Sequence, residues 1–82
     1  VTFDDATYVF DDPHRLMRLD RIENGEERWQ TIGESYGSTL LLVAHTVWDD
    51  EAGIEIIRII SARLATRNER KQYHEYRAKD FG

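Results

Sequence analysis

Arg63, Glu69 and Arg70 lie close together in the segment SARLATRNER, and their side chains suit the handling of a phosphate group. Guanidinium groups grip phosphate oxygens through paired N–H donors and stabilise negative charge as it builds on them. Arg63 comes just ahead of a helix start, whose free N–H groups favour an anion. It serves equally well as a clamp on a backbone carbonyl or on Glu69. Glu69 stands three residues after Thr66, the spacing of a capping box, which accounts for it without catalysis; proton transfer is the other role open to a carboxylate there. Arg70 projects about 100° around the helix from Glu69 and has no structural duty readable from the sequence.

Four further residues belong to the same chemistry. Arg58 interrupts an aliphatic strand, and burying an unpaired guanidinium costs several kcal/mol, so it either pairs with a carboxylate or emerges into a cleft. Arg67 and Lys71 add charge on the helix. Tyr73 either joins the core or stacks on a base. His45 falls where a central strand reads as ending, and an imidazole with an ordinary pKa near 6.5 suits general acid–base work; a structural histidine is the alternative. No metal site is expected. The chain has no cysteine, His14 and His74 have no companion at ligand spacing, and Asp49-Asp50-Glu51 reads as a solvated loop rather than a cation site. Glycine-rich phosphate loops and nucleophile elbows are absent from the sequence, and no cofactor is implied.

These residues need a scaffold, and the patterning predicts an α+β domain. Thr2 and Asp5 have capping-box spacing, with Phe3, Ala6, Tyr8, Val9 and Phe10 as the buried side of a short helix that Asp11-Asp12-Pro13 ends. His14 to Asp20 reads as a half-exposed edge strand. Asn24-Gly25 accepts positive φ in a tight hairpin turn, which returns the chain as a strand over 27–34. There Trp29, Thr31 and Gly33 point one way and Arg28, Gln30 and Ile32 the other. After a turn at Ser35-Tyr36-Gly37-Ser38, residues 39–46 form a central strand covered on both faces. Residues 47–53 read as a loop, 54–61 as the last strand, apolar on both faces except for Glu55 and Arg58, and 67–79 as a C-terminal helix. That helix has little to bury beyond Tyr73, Tyr76, Ala78 and Phe81, leaving Arg67, Arg70, Lys71, His74 and Arg77 largely free. The expected architecture is therefore a short N-terminal helix, an antiparallel meander of three or four strands and a C-terminal helix.

The 82 residues fit one domain with a thin core. The longest apolar run, Leu40 to Ala44, is too short to cross a bilayer and no signal peptide is recognisable, so a cytoplasmic protein is expected. A net charge of −5 argues against a generic polyphosphate binder. The charge is unevenly spread, however. Residues 1–57 carry net −9 and residues 58–82 carry net +4, which places a basic site on an acidic body. A solvated, charge-rich terminal helix has the same appearance.

In order along the chain, FDDATYVFDDP, EERWQTIGES, LLLVAHT and RIISARLATRNERKQY resemble the BrnT family of bacterial toxins, the RIISAR-x-AT-x-x-ER string being the most specific part. The resemblance covers nearly the whole chain. It implies a RelE-like ribonuclease, a compact α+β domain that cleaves RNA without a metal through attack of the ribose 2′-hydroxyl. It also implies a partner: a BrnA-type ribbon-helix-helix antitoxin that neutralises the toxin in a hetero-oligomer and carries the contact with operator DNA. The positions matching the family's site are Arg63, Glu69 and Arg70, with His45, Arg58 and Tyr73 as weaker members. Members of that family begin with a further strand and helix ahead of the segment that starts here at Val1, and this chain is expected to lack both. A non-catalytic module that docks an acidic protein through the basic C-terminal helix is the alternative function.

Overall fold

The computed structural model describes residues 1–81, with side chains described as far as residue 79. Helix α1 (Phe3–Val9) is followed by strands β1 (Leu16–Glu23), β2 (Glu26–Glu34), β3 (Leu40–Asp49) and β4 (Glu55–Leu64), and by helix α2 (Arg67–Phe81). The strands form one antiparallel sheet in the order β1-β2-β3-β4, the expected meander. One helix lies on each face.

Local chemistry explains the corners. The capping box at the start of α1 is formed in both directions, Asp5 N–H donating to Thr2 Oγ1 at 3.1 Å and Thr2 N–H to Asp5 Oδ2 at 3.0 Å. Asn24 and Gly25 take φ of 51° and 77°, which a tight hairpin needs and which few other residue pairs accept. Past β3, the Asp50 carboxylate accepts the N–H groups of Ala52 and Ile54, both at 2.9 Å, and makes the next turn.

The sheet separates two small apolar clusters. Ala6 and Val9 of α1 pack on Leu41 and Val43, while Tyr73 and Ala65 pack with Ile32, Leu40 and Leu42 on the other face. Burying each large side chain contributes about 1.5–3 kcal/mol. Gly33 lets α1 sit close, because a Cβ there would meet Val9 Cγ1 at 2.8 Å. Asp12, just past α1, ties the two layers together. Its buried carboxylate accepts Tyr73 O–H at 2.6 Å, Glu34 N–H at 2.8 Å and His14 N–H at 2.8 Å. Burial pushes that carboxyl up, but these donors outweigh it and hold it below its usual range.

Several expectations need correction. Residues 47–49 continue β3 rather than opening a loop, since Val47, Trp48 and Asp49 pair with Ile57, Ile56 and Glu55. β4 is the edge strand of the meander, and its apolar residues Ile60 and Leu64 are exposed. It also runs on to Leu64, which places Arg63 on the strand instead of in a connection. Arg77 is not free, because its guanidinium donates to Glu34 at 3.0 Å. Tyr76 is exposed, and the side chain of Phe81 lies outside the described residues.

Candidate active site

The strands contain five arginines, Arg18 and Arg21 on β1, Arg28 on β2, Arg58 and Arg63 on β4. Alternation along regular strands would scatter them, because Arg18 and Arg21 are three residues apart and Arg58 and Arg63 five. Two bulges prevent this. The β1–β2 register shifts between Leu19 and Arg21, so that Arg18 opposes Gln30 and Arg21 opposes Arg28. The β3–β4 register shifts between Ala44 and His45, so that Arg58 opposes Thr46 and Arg63 opposes Leu42. Each extra residue restores the parity of the arginine beyond it. All five therefore share the face on which Ile32, Leu42 and α2 lie.

α2 covers one end of that face, and the remainder is a polar surface built around two shared carboxylates. Glu69, in the first turn of α2, accepts both terminal nitrogens of Arg63, at 2.8 and 2.9 Å, and lies 3.9 Å from Arg18. It also closes the capping box at Thr66, whose N–H donates to it at 2.8 Å. Arg63, followed by the Thr66 N–H, holds the Glu69 carboxyl down at about 2, and the same pairing raises the Arg63 guanidinium above its ordinary value. Arg18 is fixed further by Gln30 at 3.2 Å and Gln72 at 2.7 Å. At the far end Glu26 accepts Arg58 at 3.1 Å and Arg28 at 3.2 Å. Between the two groups, Thr46 Oγ1 and Arg28 Nε are buried without a hydrogen-bond partner among the described residues.

This arrangement combines residues predicted from sequence with others that were missed. Arg63, Glu69 and Arg58 are brought to one surface. Arg18 and Arg28 complete it; parity with Gln30 and Ile32 is the signal that would have found Arg28, whereas the side that Arg18 shares with Leu16 is set by the bulge between Leu19 and Arg21. Arg70 lies apart, lining a recess of about 380 Å³ with His74, Ser38, Thr39 and Leu64 on another flank of α2. Arg67 and Lys71 are exposed on α2, and their side chains make no ion pair among the described residues.

Two placements contradict the sequence reading. His45 is not at an accessible strand end. It is wholly buried in the middle of β3, on the α1 side, its Nε2 2.6 Å from Thr31 Oγ1 and its ring edge-on to Phe10. Burial lowers its pKa, so the ring is neutral near pH 7 and packed beyond reach of a ligand. Tyr73 is likewise fully buried and donates to Asp12, which with burial pushes its phenol well above the ordinary value. It has no face on which a base could stack. Among the described residues no group of His, Cys, Asp and Glu is arranged to hold a metal ion.

A search among curated proteins returns no match. The family model described as "Ribonuclease toxin, BrnT, of type II toxin-antitoxin system" matches residues 1–69. That span holds the whole sheet with its five arginines and ends on Glu69, the carboxylate that Arg63 grips, whereas Arg70, Lys71 and Tyr73 fall beyond it. Guanidiniums gathered on one sheet face, a helix start beside them and a match across most of the chain agree: the chain belongs to the BrnT family of ribonuclease toxins of type II toxin–antitoxin systems.

Proposed function

We propose that the arginine face is where this toxin binds and cleaves RNA, and that it does so without a metal ion. The observation that carries this reading is the gathering of all five strand arginines on the α2 side of the sheet, through two bulges in the ladders. Cleavage by transesterification needs a 2′-hydroxyl held in line with the adjacent phosphorus. The 2′-oxygen forms a bond to phosphorus as its proton passes to water, the bond to the 5′-oxygen breaks as that oxygen takes a proton from water, and the products are a 2′,3′-cyclic phosphate and a 5′-hydroxyl end. Charge builds on the non-bridging oxygens, and fixed guanidiniums stabilise it as a divalent ion would.

Arg63 is the residue best placed to do this, since Glu69 fixes one edge of its guanidinium while half the side chain remains exposed. Glu69 is a positioning residue. With its carboxyl held at about 2 by Arg63, it is too weak a base to take the 2′-hydroxyl proton. Arg58, Arg28 and Arg18 hold flanking phosphates, Arg67 and Lys71 extend the field, and the unpartnered Thr46 hydroxyl and Arg28 Nε offer hydrogen bonds to what lies between them. Arg70 is a weaker member, while His45 and Tyr73 are left out by their burial.

The partner on this reading is a BrnA-type ribbon-helix-helix antitoxin. It forms a hetero-oligomer with the toxin, neutralises it and carries the operator contact, in the cytoplasm. The test uses protein freed of antitoxin. Single-stranded RNA should be cleaved in EDTA to cyclic-phosphate ends, and Arg63→Ala should slow cleavage about 100-fold, the usual cost of removing one oxyanion donor. Cleavage that requires added metal, or Arg63→Ala retaining full activity, would sink the proposal. Normal growth on toxin induction without antitoxin would favour the non-catalytic binding module instead.

A further inference from the structure

The arginine face has a gap in its middle, and the groups around that gap are of a different kind. Same-side positions on a strand repeat every two residues, so the rise along β3 from Leu42, opposite Arg63, to Thr46, opposite Arg58, is about 14 Å. Ala44 lies midway. Its neighbours across the sheet on this side are Gln30 on β2 and Ser61 on β4. Two short side chains therefore floor a trough, with Arg63 and Glu69 at one end and Arg28, Thr46 and Arg58 at the other. Gln30 is held there in one orientation. Arg18 Nε–H donates to its Oε1 at 3.2 Å, and because a guanidinium only donates, the amide must turn its oxygen toward Arg18 and its NH2 group away. Arg18 is fixed in turn from α2, donating to Gln72 Oε1 at 2.7 Å. The Gln30 NH2 has no protein acceptor among the described residues. Thr46 is its diagonal neighbour, about 7–8 Å away at the backbone. That residue is 1% exposed, and its hydroxyl is unpaired among the described residues. A hydroxyl shut away without a partner costs the fold free energy, which is recovered when a ligand supplies the missing bond.

A phosphate needs donors alone, and the arginines supply those. A hydroxyl diagonal to a fixed NH2 group suits instead an edge that carries both a carbonyl and an N–H. Single-stranded RNA offers such edges, because its unstacked bases expose their Watson–Crick atoms. Uracil sets O4 beside N3–H and guanine sets O6 beside N1–H, whereas cytosine and adenine set an amino group beside an acceptor nitrogen. We propose that the trough is a base-reading subsite that selects the keto bases uracil and guanine. The Gln30 NH2 donates to the carbonyl and the Thr46 hydroxyl accepts the ring N–H. Arg58 opposes Thr46 and is tethered to Glu26 by an exposed ion pair, a weak restraint, so it swings toward a flanking phosphate and uncovers the hydroxyl. An amino base would aim its own donors at the Gln30 NH2 and leave both without an acceptor. The inference rests on the arginine face being the RNA site and adds which nucleotide that site prefers.

The experiment uses the full chain freed of antitoxin and two uncleavable 2′-deoxy oligonucleotides of equal length, one of uridine and one of cytidine, which differ only at the edge in question. The original protein should bind the uridine strand about tenfold more tightly, the discrimination of one good edge contact. Gln30→Glu keeps the shape and an oxygen for Arg18 but puts an acceptor where the NH2 was, so the ratio should invert in favour of cytidine. Thr46→Val should weaken uridine binding while the melting temperature holds or rises, because it removes a hydroxyl that the fold leaves unpaired. A lower melting temperature with unchanged affinity would overturn Thr46 as the acceptor. Equal binding of the two strands by the original protein, binding of neither, or a Gln30→Glu variant that keeps the uridine preference would overturn the subsite. In each of those cases, RNA cleavage in EDTA that Arg63→Ala slows leaves the arginine face standing and only the base reading lost. Absence of that cleavage removes both.

Discussion

The two faces of the sheet come from the same four strands, yet one carries every strand arginine and the other carries none. Met17 alternates with Arg18, Trp29 with Arg28, and Ile57 with Arg58, so neighbouring residues serve opposite surfaces. The lesson concerns net charge. A chain at −5 can still gather its guanidiniums on one face, because acids on the arginine side are spent in fixing them while acids on the α1 side face solvent. Glu26 and Glu69 each hold two arginines. The cations are thereby ordered before ligand arrives, which lowers the entropy lost on binding.

The largest expected effect tests this asymmetry directly. Arg63→Ala should cost about 100-fold in RNA cleavage. Arg58→Ala, which removes a flanking contact, should cost about tenfold, on the order of 1.4 kcal/mol. Polar substitutions at Leu19 and Ile22 should leave the cleavage rate within twofold. Rates measured in EDTA on one RNA would break the comparison if losses on the two faces were equal.

Next in size is the packing of α1, which closes half of the apolar face. Gly33→Ala would drive a methyl group to 2.8 Å from Val9 Cγ1 and 3.1 Å from the Val9 carbonyl oxygen. Backbone cannot yield as a side chain can, so we expect about 1–3 kcal/mol of destabilisation, read as a lower urea midpoint at unchanged slope. A neutral result would mean that α1 sits farther from the sheet than described.

Acid sensitivity belongs mainly to the arginine side. The Glu69 carboxyl titrates at about 2 instead of 4.5, so the folded state binds fewer protons than the unfolded one between those values. The stability this provides is complete above about pH 4.5 and is lost as the pH falls toward 2. Because Arg63 is half exposed, solvent screening leaves about 1–2 kcal/mol of the effect. The urea midpoint should fall more steeply from pH 6 to pH 2.5 in the original protein than in Glu69→Gln. Asp12, also held below its usual range, supplies a residual slope in both. Equal slopes would show that Glu69 is not held by Arg63 in solution.

Much of this was legible in the sequence. The turn residues Asn24 and Gly25, the capping boxes at Thr2 and Thr66, and the Leu40–Val43 run carry strong local signals, and they give the helices and the order of the strands, though not where the strands end. The sides of β2 were also readable, because no bulge interrupts its alternation. The arginine face was not. Counting outward from the hairpin turn sets Arg18 opposite Thr31, on the wrong side, and only the bulge at Asp20 corrects it. A bulge arises from the fit of a whole ladder, and no residue at Asp20 or Ile60 announces one. His45 was misplaced for a related reason. The acids at 49–51 read as solvated loop, whereas Asp49 ends a paired strand and His45 lies well inside it.

The smallest effect decides where the site ends. Arg70 follows Glu69 directly and was grouped with Arg63 and Glu69 by the family resemblance, although a helix separates consecutive residues by about 100° and sends them to different flanks. Glu69 faces Arg63 and Arg18, whereas Arg70 lines the recess shared with His74 and Leu64. Its charge then reaches the cleaved phosphate only through solvent, where screening over a Debye length of about 8 Å removes most of the attraction. Arg70→Ala should therefore lower cleavage by less than about threefold at physiological salt, a loss of about 0.7 kcal/mol or less. The remaining effect should shrink further as salt is raised, while the Arg63→Ala defect persists because Arg63 acts by contact. If Arg70→Ala proved the more damaging of the two, the catalytic surface would lie on the Arg70 flank of α2, and the arginine face would serve only to hold the strand that leads there.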